Sequence, residues 1–187
     1  MEKKLFEFKT KTIVATGLGA ALFMILFMYV KVPTWVQGTD VKTAYGLLGF
    51  FAALFGPICG ALIGFIGHGL SDFVLYGSPW WSWVIASGVT GLFMGFAYKK
   101  LQVENGVFKT KDVITFNIWQ VIGNVVAWIV VAPILDIVIY AEPANKVFVQ
   151  GAVAAVSNIV SAAIIGTLLL FAYSKTRAGE GSLSKEK

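Results

Sequence analysis

The chain has 187 residues, of which 57% are hydrophobic and only 13% charged, against about 45–50% and about 25% in an ordinary soluble domain. A soluble core cannot hide that much apolar surface, and at roughly 20 residues per spanning helix the length holds about six spans and no sizeable soluble domain. A net charge of +5 with one cysteine excludes a disulfide scaffold and a thiolate metal cluster, and the charge needs no nucleic acid to explain it.

Lys3, Lys4, Lys9 and Lys11 precede a first apolar run at 12–30. That run is too long for a secretory h-region and no small-residue cleavage site follows it, so a retained first helix is expected. Further runs fall at 42–56, 58–77, 79–98, 112–140 and 146–173. The breaks between them carry turn chemistry: Lys31-Val32-Pro33, Gly56-Pro57, Gly77-Ser78-Pro79, Val103-Glu104-Asn105-Gly106 and Glu142-Pro143. Proline cannot donate to a helix ladder, and glycine tolerates the backbone of a helix end. The second run would reach only about 22 Å, short of a hydrocarbon core of roughly 30 Å.

Charge placement decides whether that run is a separate helix. Lysines collect before the first helix, between the fourth and fifth (Lys99, Lys100, Lys109, Lys111) and after the last (Lys175, Arg177, Lys185, Lys187). If 42–77 were one span, the first two clusters would face opposite sides of the membrane; a break at Gly56-Pro57 puts all three on the cytoplasmic side. The expected fold is therefore an all-α membrane protein with six transmembrane helices and cytoplasmic N- and C-termini. Residues 1–178 form the membrane domain and 179–187 a polar, disordered cytoplasmic tail.

Polar side chains are costly within a bilayer, so their positions carry most of the functional information. Asn117, Gln120, Asn124 and Trp128 recur on one face of the fifth helix; Gln150, Ser157 and Ser161 share a face of the sixth with Asn158 beside it; His68 and Asp72 stand one turn apart on the third; and Trp80, Trp81 and Trp83 open the fourth, followed by Ser87. With the N-terminus inside, His68, Asp72, Trp83, Ser87, Trp128 and Gln150 fall in the outer half, and a pocket opening outward is expected. Amides and hydroxyls with flat indole walls suit a neutral or weakly charged ring compound.

Bland readings stand beside these. Trp80 and Trp81 also fit an interfacial aromatic belt, Asn124 and Asn158 an amide bond between two helices, and His68 with Asp72 a lock on the third helix. The segment from Lys31 to Lys42, with Trp35, Gln37 and Asp40, is a lid or an ordinary connection. Cys59, inside an apolar run, reads as a packing residue. Small residues four apart, Ala15 with Gly19 and Gly17 with Ala21, allow close helix contact within the bundle or with another membrane subunit. No phosphate-binding loop of the G-x-x-x-x-G-K-[ST] type, no H-E-x-x-H and no paired membrane carboxylates occur. The chain therefore cannot energise transport with ATP by itself, no cofactor is expected, and binding without catalysis fits better than an enzyme.

The stretches Thr43-Ala44-Tyr45, Ala53-Leu54-Phe55-Gly56-Pro57, Gly64-Phe65-Ile66-Gly67-His68 with Asp72, and Gly77-Ser78-Pro79-Trp80-Trp81-Ser82-Trp83 with Ser87-Gly88, joined by Asn117-Ile118-Trp119-Gln120 and Asn124, resemble the riboflavin-transporter-type S components of energy-coupling-factor (ECF) transporters. The resemblance implies a vitamin-binding subunit of the bacterial cell membrane. Such a subunit captures its substrate from outside and delivers it with a transmembrane coupling protein, the T component, and two cytoplasmic ABC ATPases. It implies a lid containing Trp35 and Gln37 and walls from Trp83, Ser87, Asn124, Trp128, Gln150 and Asn158, to which Tyr45, His68 and Asp72 are added here. It also implies a coupling face on the first helix, where Ala15, Gly17, Gly19 and Ala21 replace an all-alanine pattern in part. Pyridoxine or hydroxymethylpyrimidine is the preferred ligand, with riboflavin and cobalamin as further members of the class. Two alternatives remain open at this point: an intramembrane enzyme using His68 and Asp72, and a structural subunit without ligand.

Overall fold

The computed structural model describes residues 5–6 and 9–177. The described residues form six helical rods: α1 (Thr10–Tyr29), α2 (Ala44–Phe55), α3 (Pro57–Tyr76), α4 (Trp81–Gly95), α5 (Thr110–Tyr140) and α6 (Ala144–Thr176). Four of them, α1, α3, α5 and α6, are long and apolar enough to cross a membrane, and α2 is a shorter apolar helix of 12 residues. Each rod lies within about three residues of its expected bounds, and α4 is prolonged by a 3-10 turn at Phe96–Lys99. The expected tail at 179–187 lies outside the described residues, as do Lys3, Lys4, Lys185 and Lys187.

The Gly56-Pro57 break separates two helices. Gly56 has φ of +92°, a backbone that glycine adopts without strain, and Pro57 opens α3 where a missing N–H costs no hydrogen bond. The break lets α2 and α3 run antiparallel with almost no connection. The third and fourth rods then pack at backbone distance. A Cβ added at Gly60 would collide with the Gly91 carbonyl, one at Gly91 with the Gly60 carbonyl, and one at Gly64 with the Ser87 carbonyl. This seam fixes where α4 presents Ser87 to His68 on α3.

Two features go beyond the sequence reading. The segment after α1 is a two-stranded antiparallel hairpin, β1 (Lys31–Pro33) and β2 (Asp40–Lys42), with Lys31 opposite Lys42 and Pro33 opposite Asp40. It is tied to α6 by the Gln150 side-chain amide donating to the Gln37 carbonyl (2.8 Å) and by the Ser161 hydroxyl donating to the Lys42 carbonyl (2.9 Å). In addition, α5 contains a π turn at Val126–Val131 and α6 one at Ala162–Gly166. The first lies directly before Pro133, whose ring would otherwise meet the carbonyl one turn earlier.

A core of Phe23, Phe27, Tyr45, Leu48, Ile63, Met94 and Trp128 fills the hairpin end and middle of the bundle, and Leu54, Leu101, Phe116 and Leu170 fill the other end. The outward faces are apolar as well, with Leu18, Ile25, Phe73, Val138, Val156 and Leu168 exposed, as lipid-facing surfaces require. The cationic segments converge at the end away from the hairpin. There the Lys11 ammonium lies 3.6 Å from the Glu104 carboxylate, and the Arg177 guanidinium donates to the Glu104 carbonyl. Gly60→Val is expected to destabilise the chain by about 1–3 kcal/mol through overpacking of the α3–α4 seam. Thermal melting in detergent checks this, and an unchanged midpoint would mean that the seam is not closed in solution.

Candidate functional site

At the hairpin end the helices do not close. A cavity of about 510 Å³ lies there, lined by the end of α1 (Phe27), the hairpin (Gly38, Lys42), α3 (His68, Asp72, Tyr76), Ser78, Trp80 and Trp83 at the start of α4, Asp136 near the end of α5, and Glu142, Lys146 and Gln150. Its size falls within the roughly 300–1,000 Å³ of small-molecule sites.

The wall between α4 and α5 is organised by one carboxylate. Asp136, 2% exposed, accepts from the Trp80 indole N–H (2.6 Å), the Trp83 indole N–H (2.7 Å) and the Ser82 hydroxyl. The Trp80 ring stacks on Tyr140 with centroids 4.1 Å apart, and the Trp81 backbone N–H donates to the Tyr140 hydroxyl. Three of the four residues Trp80-Trp81-Ser82-Trp83 are thus committed to a single acceptor by their side chains, which holds two indole rings at the cavity rim.

The floor is a polar chain. Asp72 accepts the Trp80 backbone N–H (3.0 Å) and stands 3.5 Å from His68 Nε2; His68 Nδ1 is 2.6 Å from the Ser87 hydroxyl, which is 2.7 Å from the Tyr45 hydroxyl. One set of directions satisfies every member: Tyr45 donates to Ser87, Ser87 to His68 Nδ1, and His68 Nε2–H to Asp72. Phe27 covers the imidazole at 4.3 Å between centroids, and the Lys42 ammonium sits 3.7 Å from the centre of the same Phe27 ring. Lys42 belongs to β2, outside the helices. Burial pushes its ammonium down to about 8, against the opposing pull of Asp40.

Of the residues singled out in the sequence, Trp83, His68, Asp72 and Gln150 line the large cavity. Tyr45 and Ser87 lie beneath it, fully buried and bonded to His68. Tyr45, Trp128 and Asn158 line a second, much smaller space beside it. Trp35 stands at the hairpin tip, 90% exposed, and Gln37 contributes its carbonyl to Gln150. Asn124 lines neither space: its amide donates to the Gln120 carbonyl (2.9 Å) and side chain (3.2 Å) within α5. The polar links from α5 to α6 are instead Asn117 to the Thr167 hydroxyl (3.1 Å) and Gln120 to the Ile159 carbonyl (3.4 Å). On α1, Ala15 and Gly19 face inward, and a Cβ at Gly19 would meet Ile63, whereas Gly17 and Ala21 face out with nothing within 4 Å of a Cβ at Gly17.

Sequence reasoning missed Phe27, Lys42, Tyr76, Ser78, Glu142 and Lys146, and did not join Asp136 to the tryptophans. Asp136 left one usable signal, a carboxylate in an apolar helix opposite a Trp-Trp-Ser-Trp cluster. Lys42 left none, because its place depends on the hairpin.

The family model described as "ECF-type riboflavin transporter, S component" matches residues 7–175. The chain belongs to this family. The S component is similar along its whole length to proteins named UPF0397. That of Exiguobacterium sp. (strain ATCC BAA-1283 / AT1b) is 58% identical over 180 residues, covering 96% of this chain and 98% of the relative. The protein from Enterococcus faecalis is 52% identical over 180 residues (96% and 98%), and that from Lactobacillus acidophilus 52% over 176 (94% and 95%). No solved structure matches the chain. Membership makes this a transport protein of the membrane.

Asp136→Leu is expected to strand two indole N–H groups and a hydroxyl, each at a cost of about 1–3 kcal/mol. A lowered melting midpoint together with moved Trp80 and Trp83 indole signals in an isotope-labelled sample checks it. Unmoved indole signals would count against the wall described here.

Proposed function

We propose that this S component captures a B-type vitamin or vitamin precursor from the outside, in the hairpin-capped cavity, and delivers it into the cell together with a T component and two cytoplasmic ABC ATPases. The observation that carries the reading is the cavity itself: a pocket of small-molecule size, walled by indole rings and ionisable groups, at the end of the bundle opposite the lysine-rich one. Lys and Arg collect on the cytoplasmic side. On that rule both termini are cytoplasmic, residues 1–178 cross the membrane of a bacterial cell six times, the tail at 179–187 is cytoplasmic, and the cavity opens outward. The hairpin acts as its lid.

Substrate size follows from the cavity, which suits a compound of one to three rings better than a corrinoid. Pyridoxine or hydroxymethylpyrimidine remains preferred, ahead of riboflavin and cobalamin. Lys42 lines the cavity, so a weakly acidic ring compound fits it as well as a neutral one. On α1, the outward pair Gly17 and Ala21 is the better candidate for the coupling face than the inward pair Ala15 and Gly19.

The enzyme alternative has a specific observation against it. Ser87, His68 and Asp72 lie in hydrogen-bond sequence, but the Ser87 hydroxyl is fully buried, engaged by Tyr45 and outside the cavity lining. A nucleophile must reach its substrate, so the chain of polar groups reads as a floor.

Native mass spectrometry of the protein purified without added ligand, followed by tryptophan-fluorescence titration against a panel of B vitamins, tests the capture reading. A co-purifying vitamin, or one saturating at nanomolar concentration, is the expected result; failure of every compound would favour a structural subunit. Trp83→Ala is expected to weaken that binding at least tenfold, since aromatic walls contribute about 1–3 kcal/mol of stacking and burial, while leaving the protein folded. Gly17→Leu is expected to spare binding and reduce co-purification with the T component, and normal assembly would move the coupling face elsewhere.

A further inference from the structure

The large cavity is lined by two buried carboxylates, and they are not equally satisfied. Asp136, 2% exposed, accepts three hydrogen bonds, from the Trp80 and Trp83 indole N–H groups and the Ser82 hydroxyl. Asp72, 3% exposed, accepts one of normal length, from the Trp80 backbone N–H at 3.0 Å, while its other oxygen stands 3.5 Å from His68 Nε2. A carboxylate has about four acceptor sites, and one held out of water is costly until they are filled. Asp72 therefore keeps acceptor capacity that Asp136 has used. Lys42 attracts it through space but makes no hydrogen bond to it.

The donors around Asp72 are engaged elsewhere. Both indole N–H groups turn to Asp136, and the Gln150 amide donates to the Gln37 carbonyl. Each nearby ammonium has its own partners: Lys146 lies 2.7 Å from Glu142, and Lys42 lies over the Phe27 ring and 3.9 Å from Asp40. What is left for a ligand beside Asp72 is an indole ring whose N–H points away, that of Trp83, and a half-used carboxylate. The matching chemistry is a flat ring that carries an N–H donor.

We propose that Asp72 is a specificity-determining residue of the cavity, accepting an N–H from an amino group borne by the captured ring compound, whose ring lies against Trp83. The assignment rests on the capture reading and narrows its substrate class to amino-bearing ring compounds. Of the two preferred ligands, hydroxymethylpyrimidine carries an amino group on its ring and pyridoxine carries none. The ligand then supplies to Asp72 what Ser82 and the indoles supply to Asp136, so that binding completes a hydrogen-bond shell that the empty cavity leaves open.

Calorimetric titration of the full chain in detergent tests this with two isosteric pairs: hydroxymethylpyrimidine against the same pyrimidine with methyl in place of amino, and pyridoxamine against its analogue with ethyl in place of aminomethyl. The amino member of at least one pair is expected to bind at least about tenfold tighter, as a hydrogen bond to a charged group provides. The preference is expected to vanish in Asp72→Asn, which keeps an acceptor for the Trp80 N–H and puts an NH2 group in place of the other oxygen, and to persist in Glu142→Gln. Loss of the preference, rather than of affinity for both members, separates recognition from a structural role. If Asp72→Asn fails to fold by circular dichroism or binds neither member, the native chain decides. The amino protons of the bound compound are then expected to show a nuclear Overhauser contact with the Trp80 backbone N–H, which lies 3.0 Å from Asp72; absence of that contact overturns the assignment. No preference in either pair, one that survives in Asp72→Asn, or one lost equally in Glu142→Gln overturns it as well. A vitamin without an amino group that saturates the native chain and Asp72→Asn alike at nanomolar concentration overturns the assignment while capture stands; absence of binding by every pair and every vitamin overturns both.

Discussion

The hairpin end of this bundle depends on Asp136 being held as an acceptor. A carboxylate taken out of water costs several kcal/mol unless it is hydrogen-bonded, and here the compensation comes from three donors in one short stretch, Trp80, Ser82 and Trp83. The arrangement couples chemistry to position. To satisfy Asp136, α4 must begin beside the upper part of α5 with both indoles turned toward it, and that turn makes a cavity wall of rings that would otherwise float at the membrane interface. Trp80 also donates its backbone N–H to Asp72, so the carboxylates of α3 and α5 are bridged through one residue.

The rest of the site is built on rigid contacts below this wall. The glycine seam between α3 and α4 sets Ser87 against His68, and the chain Asp72, His68, Ser87, Tyr45 ties three helices together under the ligand space. In a low-dielectric interior such a chain is worth keeping only if every member is satisfied, and a single set of donor directions does that. The hairpin is joined to α6 by two hydrogen bonds to its backbone and carries Lys42, whose ammonium lies over the Phe27 ring.

The rods were legible because apolar runs and proline or glycine breaks are local signals, and the short α2 was recovered from lysine placement, which is a constraint on the whole chain. His68, Asp72, Trp83 and Gln150 were legible as polar or aromatic groups placed toward one end of apolar helices. Lys42 was not. Its role follows from the pairing of Lys31 with Lys42 across three-residue strands, too short to show a period of two. Asp136 was visible as an acid, but its donors lie 53 to 56 residues away, and no local pattern joins them. Asn124, by contrast, shares a helical face with Trp128 in the sequence, yet it lines neither space: its NH2 group is spent on Gln120 one turn below, and its buried carbonyl oxygen has no partner among the described residues; periodicity assigns a face and cannot tell which groups on it reach a cavity.

The π turn in α5 explains how one helix serves two neighbours along its 31 residues. Counting 3.6 residues per turn, Asp136 in an unbroken α-helix would stand about 120° around the axis from Asn124. One extra residue absorbed at Val126–Val131 takes back about 100°, leaving Gln120, Asn124, Trp128 and Asp136, all buried, on nearly one seam. Pro133 therefore marks the point where the helix is rephased, so that a strip of hydrogen-bonding groups too long for ordinary helical geometry still points inward from the middle of the bundle to the cavity at its hairpin end.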